Sequence, residues 1–250
     1  MSDPYVKLEI ENEVGYIEFF HPAHNSLPGD VLAELAQTIT EAGTNDAIKV
    51  IVLKSGGDRT FCAGASFKEL ININDDATGK VFFSGFANVI NAMRKCPKFI
   101  IGRIQGKTVG GGVGLAASTD YCMATKFAAI KLSELNIGIG PFVVGPAIER
   151  KMGLSAMSQI AIDANTFYPA EWAKDKGLFT QVFESTEALD DVVKATAEHL
   201  CTYNPEAMQE MKTIFWKGTE DWDNLLAERA AISGRLVLSE FTKDTLKRFK

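Results

Sequence analysis

Three consecutive glycines, Gly110-Gly111-Gly112, stand between an apolar run at residues 99–104 and a second apolar stretch at 113–118. The first run has the length and residue types of a buried strand, and the second reads as the start of a helix. Glycine adopts backbone angles that other residues resist, so a cluster of it at this place marks a tight strand-to-helix junction. Such a junction needs a sheet behind it and a helix ahead of it, which points to an α/β fold.

The flanking segments agree. Residues 5–20 alternate in the manner of strands and break at 13–15, which predicts a hairpin. Asn25-Ser26-Leu27-Pro28 predicts a helix start, with a small polar cap just ahead of proline. Val31, Leu32, Leu35 and Ile39 then follow at helical spacing. Residues 49–53 read as a buried strand, 82–93 as a helix, and 121–124 and 128–132 as strands. This alternation favours a sheet with helical crossovers.

Beyond Pro141 the character changes, and 144–153, 155–163, 169–176, 186–201, 204–215 and 223–238 all read as helices. The expected organisation is an α/β core over residues 1–190 and a helical C-terminal segment over 191–250. Trp216, Trp222, Leu236, Val237, Leu238 and Phe241 in that segment suit a partner subunit and the chain's own core equally well.

A net charge of −6 without clustered Lys and Arg argues against a nucleic-acid partner. No apolar run reaches the roughly 18 residues of a membrane span, and Met1-Ser2-Asp3-Pro4-Tyr5 lacks the features of a signal peptide. Cys62, Cys96, Cys122 and Cys201 lie far apart, which predicts reduced thiols in a cytoplasmic protein. His21 and His24 form an H-x-x-H pair, but no further ligand stands at supporting spacing, so no metal is expected.

Two segments carry the candidate chemistry, Phe61-Cys62-Ala63-Gly64-Ala65-Ser66-Phe67-Lys68-Glu69-Leu70 and Gln105-Gly106-Lys107-Thr108-Val109-Gly110-Gly111-Gly112-Val113-Gly114-Leu115. Small residues at 63–65 and 110–112 let backbone approach a ligand closely and leave N–H groups exposed. The second set also opens a helix, whose first amides lack internal partners and whose dipole favours negative charge. Facing each other, two such bends would form an oxyanion hole. A phosphate-binding loop is a weaker reading of Gly106-Lys107-Thr108, because its pattern needs glycine at position 101, where Ile101 stands.

Taken together, these two segments resemble the crotonase family of enoyl-CoA hydratases and isomerases. The resemblance continues through Asn25-Ser26-Leu27, Thr119-Asp120-Tyr121, Lys131-Leu132-Ser133-Glu134-Leu135-Asn136-Ile137-Gly138 and Ala173-Lys174-Asp175-Lys176-Gly177-Leu178. It implies an α/β, crotonase-like ββα superhelix core with a helical C-terminal trimerisation segment. It also implies a homotrimer or dimer of trimers acting on an acyl-CoA thioester, with coenzyme A present as part of the substrate and no permanently bound cofactor.

Carried onto this sequence, the family's two oxyanion-hole amides fall on Ala65 and Gly111. Backbone near Ala63 and Ser66 would contact the adenine and pantetheine side of coenzyme A. Lys68 falls where the family often places a lysine near the cofactor phosphates, although a solvated lysine would look the same. Of the two glutamates usual in hydratases, the first position is Gly114 and the second is Glu134. Where the family often has P-G-A-G-G, this chain has Pro141-Phe142-Val143-Val144-Gly145, which predicts a fuller and drier pocket and a raised Glu134 pKa.

One carboxylate at the second position resembles the Δ3,Δ2-enoyl-CoA isomerases. The alternatives are an enoyl-CoA hydratase, including one for a branched substrate such as methylglutaconyl-CoA, and a non-catalytic acyl-CoA-binding protein. Glu69 could replace the missing acid but reads better as a helix-surface residue, and Asp120 reads as structural.

Overall fold

The computed structural model describes residues 3–248. Strands β1 (Tyr5–Glu11) and β2 (Val14–Phe20) form an antiparallel hairpin, and β3 (Val50–Ser55), β5 (Ile100–Ile104), β7 (Tyr121–Thr125) and β9 (Gln181–Phe183) extend it in parallel. A second, three-stranded parallel sheet is built from β4 (Thr60–Cys62), β6 (Lys107–Val109) and β8 (Ile130–Lys131).

The chain therefore repeats one motif: a strand in the large sheet, a strand in the small sheet, then helix. After β3–β4 come α2 (Phe67–Leu70) and α3 (Asp76–Lys95); after β5–β6 comes α4 (Gly111–Ser118); after β7–β8 come α5 (Gly145–Ile162) and α6 (Ala170–Asp175). This is the expected ββα superhelix, and it brings the C-terminal ends of the small-sheet strands to one place.

Both faces of the large sheet are covered, as parallel strands require. In β3, Ile51 and Leu53 face the main core beside Leu35 and Ile39 of α1 (Gly29–Thr44), while Val50 and Val52 face α7 (Thr186–Leu200) through Leu189, Val193 and Ala197. The boundary expected near residue 190 falls inside α7. Helices α8 (Pro205–Phe215), α9 (Trp222–Val237) and α10 (Glu240–Lys247) follow. Trp216, Trp222 and Val237 are buried in the chain's own core, whereas Phe241 is exposed. Helix α9 crosses α3 at backbone contact, since a Cβ on Gly79 would lie 2.8 Å from the Cα of Gly234.

Some local expectations need correction. The hairpin turns at Asn12 and Glu13, both at positive φ, and Gly15 belongs to β2. Those left-handed angles give the two-residue turn that matches strand twist. Asn25 does not cap a helix: α1 begins at Gly29 behind Pro28, and Leu27 pairs with Ala65 in a parallel bridge. The helices expected over 144–153 and 155–163 are both present, as α5 runs from Gly145 to Ile162 and is broken at Gly153, with φ +80° and ψ 157°.

Candidate active site

The two glycine- and alanine-rich bends converge. A Cβ on Gly64 would lie 3.3 Å from the Val109 carbonyl and 3.7 Å from the Gly111 amide nitrogen. Gly64 has φ +87° and Gly110 φ +53°, angles that a side chain would strain. Among the described residues the amides of Ala65 and Gly111 donate to no protein acceptor, although neighbouring amides do: Ser66 donates to the Leu27 carbonyl and Gly110 to that of Lys131.

A polar strap fixes the first bend. The Ala63 amide donates to the Asn25 carbonyl, and the Ser26 hydroxyl donates to the Ala65 carbonyl at 2.9 Å. The Asn25 amide group donates to the carbonyls of Gly56 and Thr60, while its Oδ1 accepts from the His21 amide. The second bend is fixed by contact, since a Cβ on Gly111 would fall 2.3 Å from the Phe86 ring and one on Gly112 2.7 Å from Cys62. Any larger residue there would push α3 or β4 aside.

Both bends open onto a cavity of about 450 Å³. Ala63, Gly64, Ala65, Gly110, Gly111 and Glu134 line it, with a largely aromatic and aliphatic wall from α3 and the 139–144 segment. Glu134 begins a 3₁₀ turn, Glu134–Ile137, just past β8. Its Oε1 would lie 3.0 Å from a Cβ on Gly110, so the carboxyl group stands next to the second bend. Part of the residue's surface stays accessible, yet Oε2 has no solvent access and no hydrogen-bond partner among the described residues. Burial pushes the Glu134 pKa up to about 7, against the opposing pull of the Glu134 and Ser133 amides.

Of the apolar residues close to this carboxyl in sequence, Ile137 lines the cavity with it. Leu132 is buried in the core, but Leu135 is exposed. Val109, Phe142 and Val144 also line the cavity. Helix α10 closes the turn from outside, where a Cβ on Gly138 would lie 2.5 Å from the Thr242 hydroxyl.

Val144 also decides what can stand at position 114. A Cβ on Gly114 would lie 2.5 Å from Val144 Cγ1, so the space a side chain would enter is already filled. Gly114→Glu alone is expected to destabilise the protein by about 1–3 kcal/mol through overpacking. Adding Val144→Gly should relieve part of that loss. A thermal-melt double-mutant cycle measures this coupling, and strictly additive effects would contradict the contact.

The remaining candidates fall outside the cavity. Ser66 caps α2, accepting from the Glu69 amide through its hydroxyl, and its own amide and carbonyl are both engaged with protein. Lys68 is exposed on α2. Glu69 accepts from the Gly29 amide at 3.0 Å and does not line the cavity. His21 accepts from the Ala23 amide through Nδ1. No group of three or more His, Cys, Asp or Glu able to hold a metal occurs among the described residues, and no helix there is long and apolar enough to cross a membrane.

A family model described as enoyl-CoA hydratase/isomerase matches residues 9–248. The peroxisomal Delta(3,5)-Delta(2,4)-dienoyl-CoA isomerase of Arabidopsis thaliana is 28% identical over 87% of this chain and 84% of its own. The short-chain-enoyl-CoA hydratase of Clostridium acetobutylicum is 27% identical over 98% and 94%. Among solved structures, an enoyl-CoA hydratase from Bacillus halodurans superimposes with a TM-score of 0.90 at 21% identity, covering 98% of this chain and 99% of the other.

Proposed function

The chain belongs to the enoyl-CoA hydratase/isomerase family, and from that premise we propose that it moves the double bond of a 3-enoyl-CoA to the 2-position, with Glu134 as its proton carrier. One observation carries this reading: Glu134 is the sole carboxylate among the described residues lining the cavity. Proton transfer along a substrate needs one group that both accepts and returns a proton, and a single carboxylate suffices for that.

In this mechanism the thioester oxygen lies between the amides of Ala65 and Gly111. Glu134 removes a proton from C2, and the electrons pass through the thioester into a dienolate whose oxygen the two amides stabilise. Preorganised donors in a dry site are worth several kcal/mol of barrier. The protonated Glu134 then delivers its proton to C4, which leaves the double bond between C2 and C3 and restores the carboxylate. Coenzyme A enters and leaves with the substrate, with backbone near Ala63 toward the cofactor and Lys68 available to its phosphates.

Hydration asks for more. Water must be deprotonated for attack at C3 and a proton delivered to C2, and the hydratase relatives noted above bear names for that reaction. In this chain the second acid's position is Gly114, covered by Val144, and Glu69 is engaged at the start of α1. The proposal extends to a homotrimer or dimer of trimers, for which Met211, Ile214 and Phe215 on α8 offer exposed apolar surface.

Incubation with trans-3-hexenoyl-CoA should yield the trans-2 isomer, and hydration of trans-2-hexenoyl-CoA should run at least about 100-fold slower, the lower end of what one acid–base group contributes. Rapid 3-hydroxyacyl-CoA formation would overturn the isomerase assignment. An acyl-CoA-binding protein without catalysis would instead bind both thioesters and exchange no C2 hydrogen with deuterated water.

A further inference from the structure

Ser233 of α9 lines the same cavity, with 1% of its surface accessible. Its hydroxyl has no hydrogen-bond partner among the described residues. Several other helical hydroxyls satisfy themselves: those of Ser84, Ser118 and Thr213 each donate to the carbonyl four residues back. Unlike Oε2 of Glu134, this hydroxyl keeps contact with the cavity space, so its donor and acceptor are free to pair with a ligand that enters there.

Helix α3 supplies a ruler for its position. Phe86 touches Gly111 at the second bend, and Gly79, seven residues earlier, touches Gly234 beside Ser233. Seven residues of α-helix span about 10 Å. Phe82 and Phe83 line the cavity between these points. An extended chain advances about 1.2 Å per bond, so a substrate held at Ala65 and Gly111 would bring roughly its sixth to eighth carbon opposite Ser233, once the serine side chain and the hydrogen bond are allowed for.

We propose that Ser233 is the distal recognition point of the acyl site, and that the acyl chain it selects carries a hydroxyl or keto oxygen about six to eight carbons from the thioester. This deepens the acyl-CoA reading above and rests on it. The oxygen is neutral because the lining holds one cation, Lys131, whose ammonium stands over the ring of Phe167 at 5.2 Å, a residue outside the lining. A carboxylate-ended chain would meet no positive charge from the α9 residue that lines the cavity.

Saturated thioesters test this without any double-bond chemistry. Calorimetric titration of the wild-type protein with octanoyl-CoA and with 6-, 7- and 8-hydroxyoctanoyl-CoA should show at least one hydroxylated ligand binding about tenfold more tightly, the scale of one neutral hydrogen bond. In Ser233→Ala that preference should vanish while octanoyl-CoA affinity stays within about twofold, which also shows that the site remains folded. Equal affinities in the wild type, or a preference that survives in Ser233→Ala, would overturn the proposal and leave the isomerase reading standing. Absence of binding by every thioester would overturn both.

Discussion

Glu134→Gln is expected to lower the rate of C2 deuterium exchange by about 10²- to 10⁴-fold, the range that one acid–base group supplies, while acyl-CoA affinity changes by less than about tenfold. The amide matches the carboxyl in shape, so the wall around it and the Ala65 and Gly111 amides keep their places. Exchange monitored by mass spectrometry on a saturated acyl-CoA reads the first proton transfer directly. Unchanged exchange would remove Glu134 from its assigned role.

The same substitution has a second, opposite consequence. Desolvation raises the Glu134 pKa from an ordinary 4.5 to about 7. A carboxyl whose folded pKa is raised favours the folded state below the unfolded pKa, and that contribution is lost as pH rises through about 7. Ionised Glu134 therefore costs the fold about 3 kcal/mol above neutrality. Glutamine carries no such penalty, so Glu134→Gln should melt at higher temperature than the wild type at pH 8, with the gain fading toward pH 4.5. In the wild type, kcat/KM should fall as pH drops below about 7, because the base must be ionised in the free enzyme. A limb near pH 4.5 would mean that the carboxyl is solvated.

How much of this was legible in the sequence follows from what each element needs. The Gly110-Gly111-Gly112 junction and the amphipathic helices announce themselves, because a buried face repeats over several turns. Strands β4, β6 and β9 have three residues each, too few to display a period, whereas β8 lies within the strand expected over 128–132, and α10 is mostly polar. Strands β4, β6 and β8 nevertheless form the small sheet that carries both bends and Glu134. Ala65, Gly111 and Glu134 could be singled out through family resemblance, since nothing in a lone alanine, glycine or glutamate declares a role. Other features are contacts across the fold. Val144 fills the space beside Gly114, Asn25 straps the first bend, and the bare hydroxyl of Ser233 reaches the cavity from a helix about 120 residues after that bend's partner.

Asp120 was readable only as structural, and its position explains why its removal should be severe. It stands next to β7, where one carboxylate oxygen accepts from the Ile100 amide at 2.8 Å and pairs with Lys212 at 2.9 Å, and the other accepts from the Trp216 indole at 2.9 Å. The side chains of Asp120 and Lys212 are 6% and 3% exposed. A single carboxylate thus ties β5 to α8 and its C-terminal cap, with the lysine ammonium buried beside it. Asp120→Ala would leave that ammonium with the Lys98 carbonyl, at 2.7 Å, as its remaining hydrogen-bond acceptor. An orphaned buried charge costs about 3–5 kcal/mol, a large share of the roughly 5–15 kcal/mol that holds a domain folded. Denaturant unfolding of Asp120→Ala should show that loss. Pairing it with Lys212→Met should recover much of it, because an apolar side chain of similar length needs no acceptor. A double variant as unstable as Asp120→Ala would place the effect in the Trp216 and Ile100 hydrogen bonds rather than in the stranded charge.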